Sequence, residues 1–255
     1  MIFETHAHYD DEQFGEDRDM LVSSLPENQI EYVVNIGSNI ETSKNTIELT
    51  KKYSHVYGAV GVHPNETGEL NEDNFLVLKQ MAEEPKVVAI GEIGLDYYWK
   101  EPEAKIQKEW FHRQMSLAKE LKLPIVIHSR DAAKDTIDMM NGAGGKEIGG
   151  VIHCYSYSLE TAKIFLNMGF YLGIGGVVTF KNAKKIKEVV EYTPLERILL
   201  ETDCPYLAPE PFRGKRNSSL NIPYIIKEIA RIKNVDCETV AAITMENGKA
   251  MYRIA

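Results

Sequence analysis

Two imidazoles stand two residues apart in THAHYD, His6 and His8, in a chain of 255 residues that holds 7 histidines in all. Further along, His63 sits in GVHPNE, Glu92 in GEIGLDYY, His128 in PIVIHSRDA, His153 in IHCYS and Asp203 in LLETDCPYL. Imidazoles and carboxylates are the side chains that together ligate divalent transition ions. Carboxylates embedded in apolar runs such as AIGEIG and ILLETD are costly unless something pairs with them. The combination points to metal chemistry. His55, which precedes a strand-like run, and His112, in the middle of a helix-like one, read as ordinary polar residues.

Residues spread from His6 to Asp203 share a site only if the fold gathers them. Short apolar or β-branched runs recur along the chain: Ile2-Phe3, EYVVNIG from Glu31, VYGAVGV from Val56, KVVAIGEIG from Lys86, LPIVIH from Leu123, GVIHC from Gly150, FYLGIGG from Phe170 and RILLETD from Arg197. They predict about eight strands. Between them, NEDNFLVLKQMAEE, EAKIQKEWFHRQMSLAKELK and NAKKIKEVVEY repeat their apolar residues at helical spacing. Near-continuous apolar strands suit a parallel sheet covered by helices, and about eight βα units in about 250 residues predict an α/β fold, the (β/α)8 TIM barrel. No linker divides the chain, so residues 1–255 are expected to form one domain. The glycine-rich NGAGGKEIGG from Asn141 reads as a plain loop, because GAGGK lacks the Ser/Thr and the strand-then-helix setting of a phosphate loop.

In such a barrel the C-terminal strand ends meet on one face, where barrel enzymes place their chemistry. His6 and His8 are expected to end strand one, His63 to follow strand three, Glu92 to end strand four, His128 to end strand five, His153 to lie in strand six and Asp203 to close strand eight. Side chains two apart on a strand point to the same side, so His6 and His8 can share one ion, with His128, His153, Glu92 and Asp203 completing the shell. Four imidazoles and two carboxylates exceed one tetrahedral centre, and Glu92 can bridge, so a site for two ions about 3.5–4 Å apart follows. Mixed nitrogen and oxygen ligation suits zinc, manganese, iron, cobalt or nickel better than an all-oxygen magnesium cage.

A net charge of −9 argues against a broad basic face for gripping nucleic acid, so any polyanion would need local attraction, which bound cations supply. No apolar run reaches membrane-spanning length and the acidic start does not resemble a secretory signal, so a cytoplasmic protein with no membrane association is expected. Cys154, Cys204 and Cys237 are too few and too scattered for a disulfide framework or a zinc knuckle.

Taken together, THAHYD, GVHPNE, GEIGLDYY, PIVIHSRDA, IHCYS and LLETDCPYLAPEPFRGKRN resemble the TatD family of metal-dependent deoxyribonucleases, within the wider amidohydrolase-type barrels. The likeness runs from the first strand to the final NGKAMY helix. It implies hydrolysis of DNA phosphodiesters, as a 3′–5′ exodeoxyribonuclease favouring single strands, through a metal-bound hydroxide at two divalent ions drawn from magnesium, manganese, zinc, nickel or cobalt. His6, His8, Glu92 and Asp203 would hold the first ion, and Glu92, His128 and His153 the second. His63 and Glu201 would stand beside the ions or face substrate. Asp203 is the best candidate to orient the water and take its proton. No obligate protein partner is implied. Ala7 stands where the family often has cysteine, and NSSLNIP replaces a segment usually rich in Glu-Pro; neither change removes a ligand.

On the substrate side, Arg213, Lys215 and Arg216 of RGKR form a compact basic cluster expected to overhang the rim, with Arg130 and Lys181 as further phosphate partners. Tyr97, Tyr98 and Trp99 follow the fourth strand and can stack a base. A competing reading is an amidohydrolase acting on a small cyclic amide, lactone or ester. Many binuclear members of that group bridge their ions with a modified lysine at the fourth strand end, but Lys86 stands at the start of this strand and Glu92 at its end, which favours the nuclease reading. A catalytically idle scaffold is the remaining alternative, against which stands the full ligand set.

Overall fold

Runs of Ile, Val and Leu alternate with small or polar residues in the eight segments that become strands in a computed structural model describing residues 1–255. These are β1 (Ile2–Ala7), β2 (Ile30–Ile36), β3 (Val56–Val60), β4 (Val87–Asp96), β5 (Ile125–Arg130), β6 (Gly150–Ile152), β7 (Tyr171–Ile174) and β8 (Ile198–Leu200). Every neighbouring pair is parallel and the spatial order is the sequence order. Ten helices run between and after them: α1 (Arg18–Ser24), α2 (Ile40–Lys52), α3 (Glu72–Met81), α4 (Ala104–Leu121), α5 (Ala133–Gly142), α6 (Gly145–Ile148), α7 (Leu159–Asn167), α8 (Lys184–Tyr192), α9 (Ile222–Lys233) and α10 (Cys237–Tyr252). None is long and apolar enough to cross a membrane. Some of the helices begin where a side chain satisfies free backbone N–H groups. Asn39 and Asn71 form capping boxes at α2 and α3, and Asp236 caps α10.

Two packing layers follow from the alternation along the strands. Phe3, Val34, Ile36, Ala59, Ala89, Val126, Val151 and Leu199 pack with Met245, Met251 and Tyr252 of α10. The other strand residues, among them Ile30, Val56, Ile90, Ile125, Ile152, Leu172 and Ile198, pack against helix residues such as Leu78, Phe111, Phe165, Val189 and Ile229. The final helix therefore closes the lower end of the barrel. A Cβ at Gly248 would sit 2.5 Å from the Phe3 ring, so only glycine lets α10 come this close.

Closure between first and last strands occurs at the upper end. The Asp203 N–H donates to His6 O (3.0 Å) and the His8 N–H to Cys204 O (2.9 Å), with Ala7 bridged to Cys204. Three of the residues expected to bind metal thus sit on the seam of a near-closed barrel.

Several expected boundaries need correction. β4 does not end at Glu92 but runs on to Asp96, still paired with β5 through Asp96 and Arg130. His153 directly follows β6, and Asp203 lies in the segment after β8, because both strands are only three residues long before the chain turns outward. The NGAGGKEIGG segment is not a plain loop. It carries the end of α5 and the single turn α6, bracketed by Gly144 (φ 72°) and Gly149 (φ 74°) and anchored by buried Ile148.

Candidate metal centre

Glu92 lies at the middle of the upper face, and its two carboxylate oxygens turn in different directions. Oε1 is 2.8 Å from His153 Nε2, 2.9 Å from His128 Nδ1 and 3.7 Å from His63 Nε2. Oε2 is 3.5 Å from His6 Nε2 and 3.9 Å from His8 Nε2. Asp203 closes the second set, with Oδ1 3.4 Å from His8 Nε2 and 3.6 Å from His6 Nε2. The five histidines expected at one rim do converge there. His55 and His112 stay away: the former meets Val22 O at 3.1 Å and the latter is exposed on α4.

Neighbouring groups aim the rings. His8 Nδ1 donates to Ile36 O (2.8 Å), so in the neutral ring Nε2, which faces Asp203, is the nitrogen left free to ligate. His63 is the reverse. Its Nδ1 accepts the Asn65 N–H (3.2 Å), so in the neutral ring Nε2 carries the proton and points inward as a donor. His128 contacts Asp96 Oδ2 through Nε2 at 2.9 Å, and donation there leaves Nδ1 turned toward Glu92. Asp96, buried at the end of β4, is a site residue that sequence reading passed over; it stands four after Glu92 on the same strand, inside GEIGLDYY.

Glu201 is buried beneath His153. Its Oε1 accepts the Cys154 N–H and lies 3.8 Å from His153 Nδ1. Gly173 on β7 makes room for it, since a Cβ there would be 2.2 Å from Glu201 Oε2. Asp203 and Cys154 both adopt left-handed backbone conformations (φ 57° and 45°), which non-glycine residues rarely hold and which here aim side chains at the centre.

Burial and neighbouring charges shift the titration of most of these groups. Burial would raise the Glu92 carboxyl, but the charges of His153 and His63 and hydrogen bonds from His128 and His153 hold it well below the usual range. Asp203 is likewise lowered against the effect of burial, by His8, His153 and His6. Burial, opposed mainly by His153, pushes Glu201 up to about 8. His63 falls to about 3 and His6 to about 4, chiefly through burial. Burial works the same way on His8 and His153, yet nearby carboxylates overcome it and raise them to about 9 and about 10.

The donor set fits divalent ions. His6, His8 and Asp203 form one group of donor atoms within 4.8 Å of one another, His63, Glu92 and His128 a second, and His6, His153 and Glu201 a third. Buried His6 Nδ1, His153 Nδ1 and Glu201 Oε2 have no hydrogen-bond partner. Because ligation needs neutral imidazole, uptake of an ion must expel the His8 and His153 protons. Affinity for zinc or manganese is therefore expected to rise as pH climbs from 7 through 9, with proton release measurable by calorimetry in buffers of different ionisation enthalpy. Binding that releases no protons at pH 7 would contradict this arrangement.

A cavity of about 700 Å³ opens above these residues, lined also by Asp10, Asp11, Glu12, Ser38, Thr42, Ser129, Ser156, Tyr206 and Leu207. Arg130 is its only Lys or Arg. The basic cluster behaves differently from expectation. Arg216 is paired with Asp17 (2.5 Å) and donates to Gln13 O, Arg213 lies over Phe180, and neither they nor exposed Lys215 and Lys181 line the cavity. Tyr97 also turns away, its hydroxyl donating to Asp135 (2.8 Å). Lys86 is remote from the centre, with Nζ donating to Thr50 O and Tyr53 O at the end of α2. All three cysteines are free thiols.

Comparison with known proteins agrees with this geometry. An uncharacterised metal-dependent hydrolase, YabD of Bacillus subtilis, is 43% identical over the full length of both chains. A Salmonella typhimurium protein named 3′-5′ ssDNA/RNA exonuclease TatD is 29% identical, with 99% of each chain covered. The crystal structure of YjjV, a TatD homologue from Escherichia coli, superposes with a TM-score of 0.93 at 26% identity, covering 100% of this chain and 98% of that one. The model of the TatD-related DNase family matches residues 3–253, in keeping with the eight-stranded barrel and its histidine–carboxylate centre, and the chain belongs to that family and is a metal-dependent hydrolase.

Proposed function

We propose that the protein, with residues 1–255 as one domain, hydrolyses phosphodiester bonds of DNA at a two-ion centre, removing nucleotides from the 3′ end of single strands. The observation that carries this reading is the Glu92 carboxylate, whose oxygens face separate histidine sets as a bridging ligand would. His6, His8, Glu92 and Asp203 would hold one ion, and Glu92, His128 and His153 the other. When bound, such ions neutralise phosphate charge and bring the pKa of a water toward about 7.

The chain's own groups do the rest. Asp203, kept ionised, orients the attacking water and accepts its proton at a carboxylate oxygen. The His63 Nε2–H donates toward the phosphate oxygens. Glu201 supports His153 from below. Arg130 supplies the one side-chain cation of the cavity, while Arg213 and Lys215 stay free to attract a strand from outside it. Arg216, tied to Asp17, holds that loop in place. The Salmonella relative's name supports a nucleic-acid substrate and the 3′–5′ direction.

The test is metal-stripped protein on 5′-labelled single-stranded DNA and RNA, with and without magnesium or manganese. A ladder shortening from the 3′ end only when metal is returned is the expected result. Intact strands from protein that has rebound two ions per chain would sink the proposal. Hydrolysis of small cyclic amides or esters would then become the better reading, although the distance of Lys86 from the centre speaks against a lysine-bridged amidohydrolase.

A further inference from the structure

Directly beyond β4, the aromatic pair Tyr98 and Trp99 stands open to solvent, 54% and 55% exposed. Two adjacent large aromatics beside a cavity offer open ring faces on which a flat ligand can stack. Their rings are 5.0 Å apart at an interplanar angle of 88°, forming a corner. Over one face of Tyr98 lies the Arg130 guanidinium, 3.7 Å from the ring centroid, the same group that is the cavity's sole side-chain cation. Cavity, cation and corner are therefore contiguous.

This corner is tied to the metal centre by a single carboxylate. Asp96 Oδ1 accepts the N–H groups of Tyr98 (2.9 Å) and Trp99 (3.4 Å), while its Oδ2 meets His128 Nε2 (2.9 Å). Gln107 of α4 fixes the same stretch, its Oε1 accepting the Asp96 N–H and its Nε2 donating to Asp96 O and Pro102 O. A loop held by buried polar groups keeps its aromatics in one place relative to the centre.

We infer that Tyr98, Trp99 and Arg130 form a subsite that stacks an unpaired nucleobase beside the scissile phosphodiester, and so selects single strands. The inference rests on the nuclease reading. A guanidinium meets a phosphate oxygen or stacks on a base plane, an aromatic corner takes a flat base from the side, and a base within a duplex has neither face free. The acidic wall of Asp10, Asp11 and Glu12 across the cavity repels the backbone and leaves the Arg130 side as its path.

The test uses metal-loaded protein and 5′-labelled single strands, either complete or carrying one abasic position among the last three nucleotides. Stacking of one base contributes about 1–3 kcal/mol, so wild type is expected to lose about tenfold in kcat/KM when the stacked base is missing. Tyr98→Ala should cut complete and abasic strands at similar rates, and Tyr98→Phe should restore the preference. Equal cleavage of both strands by wild type, or an undiminished preference in Tyr98→Ala, would overturn the subsite and leave the nuclease reading standing. Failure of wild type to cut any strand would overturn both.

Discussion

Replacing Glu92 by Gln is expected to lower metal-dependent hydrolysis by at least about 10³-fold and to reduce bound metal from the two ions per chain proposed for wild type to one or none. The substitution keeps shape and removes one negative charge. In place of Oε1 or Oε2 it puts an amide nitrogen, which carries no lone pair for an ion and directs its hydrogens at His128 and His153 or at His6 and His8. Losing about 4 kcal/mol of charge stabilisation in the transition state corresponds to about 10³ in rate. Metal content by elemental analysis separates this account from a plain packing defect. Full two-ion occupancy with normal turnover in Glu92→Gln would show that the carboxylate does not bridge.

Much of this centre is legible in the sequence because its proposed ligands are types that apolar strands rarely carry. A histidine closing the apolar run PIVIH or a glutamate inside AIGEIG marks a candidate ligand without any knowledge of its partner. The groups that aim those ligands carry no such mark. Asp96 goes unread because β4 outlasts its apolar run, and only pairing with β5 shows that the strand continues. RGKR looks like a free basic cluster because Asp17, which holds Arg216, lies almost the whole chain away. Tyr97, Tyr98 and Trp99 look alike as neighbours, yet Tyr97 is spent on Asp135 while the next two stand free. Ligand identity is a local property of the chain; orientation depends on contacts that only the closed barrel makes.

Glu4 shows the same division, and its removal is expected to have the largest effect on stability. It reads as one more acidic residue near the start of an acidic chain, but it is fully buried at the seam between β1 and the segment after β8. Oε1 accepts the N–H groups of His6 (3.1 Å) and Thr202 (3.0 Å), and Oε2 accepts the hydroxyls of Thr202 (2.6 Å) and Ser219 (3.0 Å). Both backbone groups adjoin or belong to proposed ligands, so one carboxylate sets the spacing of His6 and Asp203. Glu4→Ala leaves four buried donors without a partner and a cavity besides, at about 1–3 kcal/mol for each unsatisfied group. A net loss of about 3–5 kcal/mol is expected in urea unfolding of the metal-free protein, with metal affinity reduced about 10- to 100-fold. Glu4→Gln keeps an acceptor for the two N–H groups and should recover most of both. The pH dependence gives a second reading. Burial, only partly offset by hydrogen bonds from Thr202, His6 and Ser219, pushes Glu4 up to about 7 from 4.5. The folded chain therefore holds a proton that the unfolded chain releases, and wild type loses stability as pH rises from 4.5 through 7. At 1.36 kcal/mol per pKa unit the stability difference should move toward Glu4→Gln by about 3 kcal/mol across that interval. A difference independent of pH would mean that Glu4 is ionised throughout, held by its four donors as a permanent charge. Equal stability of Glu4→Ala and wild type would mean that the seam is set by its backbone pairing alone.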